Sequence, residues 1–475
     1  MRRTCIVIMR KMSRGSYEDT KGFVRVAETW LEVLVLTLLY YVVWRQGYDI
    51  ENYAYKGKYV LMGIYAVLTY VFFQNSDCTM FGQLHRVDLI LGQTIALFLV
   101  NFITYFQLSL MENQMLSPVP IMVLFLLEIV VAFFLVHTYT SLYHKLYAPH
   151  DMLLIYGDQR GVGLKIKMDS RRDKYHISRL ISADEDLEVL KKEILKYDAI
   201  ILNDIPAQKR NDILKFCYRY RVRTYVAPKL TDVMLRGAKN ISLFDTPLLL
   251  VKGTGLTPAQ RVSKRALDLV LSSLILIPAA PIMGLVALAI KIEDGGPVFY
   301  KQPRLTRNGR EFDILKFRSM VVDAEKTAGA VLAEGNDPRI TRVGKFIRPF
   351  RLDELPQLIN ILKGDMSFVG PRPERKVIAD EYCKDIPEFS FRLKVRGGLT
   401  GYAQIYGKYN TSAYDKLRLD LMYIENYSFL LDIKLIVLTL RILFTKESTE
   451  GIDVAQKNRQ KAEALIEQLK ENDSQ

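Results

Sequence analysis

Four apolar segments crowd the first 136 residues, at roughly 29–44, 59–73, 89–106 and 119–136. So many apolar helices in so short a stretch leave little for a water-soluble core to cover. A lipid bilayer accommodates them, at about 20 mostly apolar residues per crossing. Each segment is slightly short of that length, and its flanks extend it: Trp30 and Trp44, Tyr59, Tyr105 and Phe106, Tyr139 and Tyr143. Glu28 and Glu32 interrupt the start of the first segment, which is the least regular. Ahead of it stand Arg2, Arg3, Arg10, Lys11, Arg14, Lys21 and Arg25. No small-residue cleavage site follows, so they read as a positive, cytoplasmic flank rather than a signal peptide. Four crossings return the chain to that side. The 107–118 loop has no Lys or Arg and suits the outside, whereas the 45–58 loop, with Arg45, Lys56 and Lys58, fits less well.

A chain that is 49% apolar and 25% charged also needs soluble parts. Residues 151–250 supply one. Apolar runs at Met152–Tyr156, Asp198–Asn203 and Val222–Ala227 alternate with helical patterns near 185–196 and 207–220. This predicts a parallel, Rossmann-like α/β domain. Its glycines, Gly157, Gly161 and Gly163, do not have the dinucleotide-binding spacing, so a structural or regulatory module is the expectation and nucleotide binding the alternative. Residues 251–263 read as a linker. Then comes a 22-residue apolar run, Leu269–Ile290, with Pro278 and Pro281 at its middle. Proline removes a helical hydrogen bond and clashes with the preceding turn. Each half is too short to cross, and both ends are basic, at Lys264 and Arg265 and at Lys291. A re-entrant hairpin over 264–292 is expected; a kinked full crossing is the alternative. Near the other end, Leu430–Phe444 suits a helix lying in the interface, and 455–470 is a charged helical pattern.

The net charge of +14 favours an anionic partner. The four cysteines are scattered, which argues against a disulfide framework or a zinc site. All five histidines precede residue 177, so chemistry in the C-terminal part has to run without imidazole. Lys301–Arg351 holds twelve Lys and Arg against six Asp and Glu. The chemistry-bearing stretch is RLDELPQLINILKGDMSFVGPRPE, residues 351–374. Asp353 and Glu354 are adjacent carboxylates beside Arg351. They read either as a helix start, with Asp353 as N-cap and Pro356 in the first turn, or as reactive groups. Phosphate-friendly pieces surround them. Lys316 and Arg318 lie in KFRSM, Arg372 in the proline-stiffened GPRP, and Arg396 beside Gly397 and Gly398, whose amides could approach an oxyanion.

From Lys264 to Ile452 the order of motifs resembles the bacterial polyprenyl-phosphate sugar-1-phosphate transferases, which begin capsule, exopolysaccharide or O-antigen synthesis. The matching stretches are GPVFYKQPRL (296–305), FDILKFRSM (312–320), DPRITRVGKFIR (337–348), LDELPQLINILKGDMSFVGPRPE (352–374), GGLTGYAQIYGK (397–408) and LDLMYIENYS (419–428). The first half resembles the family's long, polytopic form more loosely. The resemblance implies a UDP-sugar donor, a hexose such as glucose or galactose, and polyprenyl phosphate as acceptor. It implies Asp353 as a nucleophile that forms a phosphosugar–aspartyl intermediate and releases UMP. It also implies Mg²⁺, for which Glu354 fits as an oxygen ligand. Lys316, Arg318, Arg351, Arg372, Arg396 and Gln404 are then the candidates for contacts to substrate, since arginine's fork suits phosphate.

The expected fold class is an α/β membrane protein. A cytoplasmic flank (1–28) and a four-helix transmembrane bundle (29–145) precede the α/β domain. The re-entrant hairpin leads into a mostly helical catalytic domain (293–452) and a charged tail (453–475). The soluble parts are expected to face the cytoplasm from a bacterial inner membrane. A homodimer is implied by resemblance, and a nucleic-acid partner is not expected. Competing readings are a glycosyltransferase that would release UDP and a membrane scaffold without activity.

Overall fold

The computed structural model describes residues 2–48, 56–82, 84–147, 149–157, 160–169, 171, 174–243, 245–322, 337, 339–407 and 411–443. The chain divides into two units at Ala227/Pro228.

In the first unit, helices α1 (Arg2–Gly47), α2 (Gly57–Asn75), α3 (Arg86–Met111) and α4 (Val119–Leu146) pack together. Glu28 and Glu32 do not interrupt α1. They lie one turn apart on its inner face, 7% and 0% exposed, so the helix passes through them with an unbroken apolar outside. Glu128 of α4 accepts hydrogen bonds from the Tyr65 hydroxyl and from Asn101 Nδ2, which ties α2, α3 and α4 together. Among the described residues, four helices are long and apolar enough to cross a membrane: Thr20–Gly47, Arg86–Met111, Val119–Leu146 and Pro258–Asp294. The second expected segment forms α2 but is not one of these, because Lys58, Gln74 and Asn75 fall inside its 19 residues.

Strands β1 (His150–Tyr156), β2 (Tyr175–Ser182), β3 (Ala199–Asn203) and β4 (Arg223–Val226) form a parallel sheet in the order β2-β1-β3-β4. Helices α5 (Arg160–Asp169), α6 (Leu187–Ile194) and α7 (Ala207–Arg219) connect them. Central β3 is buried throughout and reads as an apolar run. Edge strand β2 exposes His176, Ser178 and Arg179, which is why no apolar run announced it. A side chain at Gly157 would meet the Asp204 carbonyl oxygen at 2.2 Å, so that glycine serves the close approach of two loops at the strand ends.

The second unit opens with α8 (Leu230–Arg236) and the antiparallel pair β5 (Lys239–Leu243) and β6 (Thr246–Leu250). Leu230 and Val233 enter the core of this unit, so α8 belongs with it although sequence pattern grouped it with the α/β domain. Next is α9 (Pro258–Asp294), which starts inside the expected linker. There Thr257 and Gln260 cap each other's backbone amides at 3.3 and 2.9 Å. Pro278 and Pro281 lie inside this 37-residue helix, which runs through them as one element. Each proline deletes one hydrogen bond, while side chains on either side of the pair (Leu271 and Leu276, then Met283) stay packed on the same core.

The face of α9 that carries Lys264, Asp268, Ser272, Ala279, Val286 and Ile290 is buried. Lys264 Nζ meets Asp432 Oδ2 at 2.7 Å and the Tyr423 hydroxyl at 2.9 Å; Asp268 Oδ1 accepts from Ser367 Oγ and the Phe368 amide, both at 2.9 Å. The opposite face is apolar and exposed at Val270, Leu274, Ile277, Leu285, Leu288 and Ile292. Past Gly295 come the hairpin β7 (Phe299–Leu305) and β8 (Glu311–Phe317), then α10 (Arg342–Ile347) and α11 (Gln357–Lys363). Strand β9 (Met366–Val369) pairs in parallel with β10 (Gly397–Thr400), and α12 (Lys376–Asp385) lies between them in sequence. Short α13 (Tyr402–Tyr406), α14 (Ala413–Glu425) and α15 (Phe429–Leu443) complete the unit. Tyr423 and Tyr427 are core residues at 1% and 7% exposure, whereas Phe429 is exposed. The charged pattern at 455–470 lies outside the described residues.

Candidate active site

Between α10 and α11 the chain makes a tight 3-10 turn, Leu352–Glu354, entered through Arg351 in the left-handed region at φ 52°. A non-glycine residue there costs roughly 1 kcal/mol, which the surroundings have to offset. The helix-start reading of Asp353 fails. Helix α11 begins after Pro356 with no side-chain cap, so the Asp353 carboxylate is not consumed by capping.

Three cations converge on the neighbouring carboxylate. Glu354 Oε1 accepts from Lys316 Nζ of β8 at 3.2 Å and from Arg372 Nη2 at 2.9 Å, and Arg351 Nη1 lies 3.9 Å from Oε2. Burial works to raise the Glu354 pKa, but Arg372, Lys316 and Arg351 together hold it far below the usual carboxylate range. Asp353 goes the other way. Burial pushes it up and Glu354 adds to this, against the pull of Lys316 and Arg348. Two adjacent carboxylates therefore divide into a clamped anion and a more basic, half-buried one that accepts no hydrogen bond from another side chain among the described residues.

The scaffold around them is specific. Asn360 of α11 accepts from the Leu315 amide at 2.9 Å and donates to the Asp313 carbonyl at 2.8 Å, which fixes the Lys316 strand against the Asp353 turn. Arg372 is held through its own backbone. Arg392 Nη2 donates to the Arg372 carbonyl and Arg304 Nη1 to the Pro373 carbonyl, at 2.9 and 3.1 Å. Glu374 next to them binds Lys416 and faces Arg392 and Arg304 at 3.6 and 3.8 Å. Arg392 Nε also pairs with buried Asp420 at 2.9 Å. Sequence reading missed Arg304, Asn360, Glu374, Arg392, Lys416 and Asp420. Several of them stand inside the matching motifs, which was the available signal.

Gly397 and Gly398 do not offer amides to an oxyanion. The Gly398 amide donates to the Pro371 carbonyl at 2.9 Å and the Gly397 amide to Thr306 Oγ1 at 3.3 Å. A side chain on Gly398 would sit 2.1 Å from the Gly370 nitrogen. These glycines let β10 press against the turn that carries Arg372.

Of the expected substrate contacts, Lys316, Arg351 and Arg372 gather at Glu354. Arg318 is buried in an ion pair with Asp294 at the end of α9. Arg396 is grouped with Arg265, Arg307, Arg310 and Asp268 instead. Gln404 on α13 has both its amide oxygen and nitrogen buried without a hydrogen-bond partner among the described residues. Pro278 and Pro281 remain on α9. Metal fit is decided at Glu354. Its Oε1 is shared by two cations while Oε2 has only Arg351, at 3.9 Å, among the described residues, so Oε2 is the oxygen that would be left for a divalent ion.

The sequence profile of the family described as bacterial sugar transferase matches residues 259–446. Over 259 residues the chain is 37% identical to a UDP-N-acetylgalactosamine-undecaprenyl-phosphate N-acetylgalactosaminephosphotransferase of Aeromonas hydrophila, covering 53% of this chain and 60% of that protein. Over 210 residues it is 40% identical to a UDP-glucose:undecaprenyl-phosphate glucose-1-phosphate transferase of Escherichia coli, covering 43% of each. A protein of the same description from Caulobacter vibrioides is also 40% identical over 210 residues, which are 43% of this chain and 78% of the relative. The matched stretch thus spans about half the length of the first two relatives. The chain belongs to the bacterial sugar transferase family, and the resemblance drawn from the order of motifs is borne out.

Proposed function

We propose that this chain transfers a sugar 1-phosphate from a UDP-sugar, a hexose or its N-acetylated form, to undecaprenyl phosphate, through a phosphosugar ester on Asp353. One observation carries this reading: Glu354 takes up Lys316 and Arg372, while the Asp353 carboxylate beside them has no side-chain hydrogen bond among the described residues. In the first step an Asp353 oxygen attacks the sugar-bearing phosphorus. The bond from that phosphorus to the bridging oxygen breaks, and UMP leaves with that oxygen. In the second, an oxygen of the lipid phosphate attacks the same phosphorus and the aspartyl bond breaks, returning the carboxylate. Both nucleophiles are already anions, so no base is required, which suits a unit without histidine. Lys316, Arg351 and Arg372 stabilise the charge that spreads over the phosphoryl oxygens. Mg²⁺, held by Glu354 and the diphosphate, would supply further neutralisation of that charge.

The proposal includes a re-entrant α9. Its first turns are tied to Asp432 and Ser367, while at its other end Glu293 accepts the Arg342 and Val343 amides at 2.7 and 3.2 Å. Both ends are thus held by one folded unit, and entry and exit on a single side then requires the helix to bend at Pro278 and Pro281. Its exposed apolar face then meets lipid, and the soluble parts face the cytoplasm of a bacterial inner membrane. The parallel sheet of the first unit fits a Rossmann-like regulatory module, and a homodimer follows from the family resemblance.

The test is purified protein with UDP-glucose, UDP-galactose or UDP-N-acetylgalactosamine, undecaprenyl phosphate and Mg²⁺. UMP release by the native chain, a mass increase of one phosphosugar on the Asp353 peptide, and loss of both in Asp353→Asn are expected. Release of UDP would replace this reading by simple glycosyl transfer.

A further inference from the structure

The Arg372–Glu374 turn has a second side. Behind it lies a cavity of about 220 Å³ lined by Leu305, Pro371, Pro373, Ala379, Phe389 and Val395, with Arg372 among its walls. The same Arg372 reaches Glu354 with Nη2, so one residue borders both the cavity and the carboxylate pair. The cavity is mainly apolar, and its charged wall residues are paired except for Asp380, which faces Lys376 electrostatically. Glu374 is bound by Lys416 and faces Arg392 and Arg304, Arg392 also pairs with Asp420, and Lys376 lies 3.1 Å from Glu311. Such a lining repels neither ring nor ribose and offers no spare cation for a phosphate. Ser390 Oγ, which donates to the Pro387 carbonyl at 3.1 Å, keeps its lone pairs for a ring N–H.

We propose that this cavity receives the nucleoside of the donor, with Arg372 spanning from nucleoside to diphosphate. The inference rests on the proposed use of a nucleotide diphosphosugar and names where its leaving half is recognised. A nearly neutral, mostly apolar pocket beside a phosphate-facing arginine suits a planar base better than a hexose, whose hydroxyls need many polar partners. An isoprenoid is the other apolar candidate. None of the cavity's lining residues comes from α9 or α15, the two apolar helices of this unit, so the cavity does not continue their exposed apolar faces. That continuity is what a lipid tail would need.

Cys383 stands in the cavity wall and serves as a reporter, while Cys78 and Cys217 are buried. The experiment is N-ethylmaleimide labelling of the full-length protein in detergent, with the rate at Cys383 followed by peptide mass spectrometry. Saturating UMP is expected to slow labelling at least fivefold, ribose 5-phosphate to have little effect, and farnesyl phosphate none. Asp353→Asn should keep the protection, because nucleoside binding does not require the nucleophile. Ala379→Val, which narrows the cavity, should raise the KM for donor several-fold with kcat nearly unchanged and weaken the protection. Protection by farnesyl phosphate instead would assign the cavity to the lipid and overturn the proposal. An active enzyme whose Cys383 is indifferent to UMP would overturn it while leaving the transfer reaction standing.

Discussion

At the residue scale, the site works because two neighbouring carboxylates are held in opposite electrostatic conditions. Glu354, ringed by Arg372, Lys316 and Arg351, is held well below the usual carboxylate range. Asp353 is displaced upward by burial, so on acidification it takes a proton first, and in the proposed reaction only its carboxylate can attack phosphorus. The kcat/KM for UMP release should therefore fall as pH drops through a pKa above the ordinary aspartate value of about 3.9. Lys316 is the strongest influence pulling Asp353 down. Lys316→Met should move that acid limb to higher pH, beyond any loss of rate, in a pH profile of kcat/KM; an unmoved limb would mean that another group titrates. Arg392 and Asp420 form a buried pair whose loss strands a charge, so Asp420→Ala should destabilise the second unit by about 3–5 kcal/mol in thermal or denaturant unfolding. None of this pairing was legible in sequence. Asp353 and Glu354 stood out because two acids interrupt a basic stretch. Arg392 and Asp420 are 28 positions apart and meet only once α14 is folded.

At the scale of elements, long apolar helices were legible because their signal sums over twenty or so residues, and β1 and β3 because a buried parallel strand has to be apolar on both faces. Failures came where the deciding partner is remote. The two prolines of α9 predicted a break, yet packing against one core on both sides of them keeps the helix continuous. The glycines before α13 suggested an anion cradle, yet their amides go to Pro371 and Thr306. Gly398→Ala tests the second point. Its methyl would meet the Gly370 nitrogen, so the β9–β10 contact must spread, and transfer activity should fall at least tenfold while far-ultraviolet circular dichroism is retained. For α9, cysteines introduced singly at Val262 and Ile292, both well exposed, should react from the same side of sealed membrane vesicles with an impermeant maleimide. Reaction from opposite sides would make α9 a full crossing.

At the scale of the whole molecule, every residue given a part in the chemistry lies in the unit that begins at Pro228. The Caulobacter relative makes the same point from outside, since 43% of this chain covers 78% of it. A chain beginning at Pro228 should therefore insert in membranes and release UMP at a rate within a fewfold of the full protein. The starting residue matters. The family match begins at 259, but α8 lies upstream of it, and Leu230 and Val233 are 8% and 2% exposed in the core of this unit. Arg418 Nε also donates to the Pro228 carbonyl at 2.7 Å. Removing two buried aliphatic side chains costs about 3–6 kcal/mol. A chain beginning at Thr257 should consequently melt well below one beginning at Pro228, even though both contain the complete matched stretch and the same Asp353 site. Equal melting temperatures would show that α8 rests on this unit without stabilising it. Loss of activity in both would mean that the transfer site depends on the first unit.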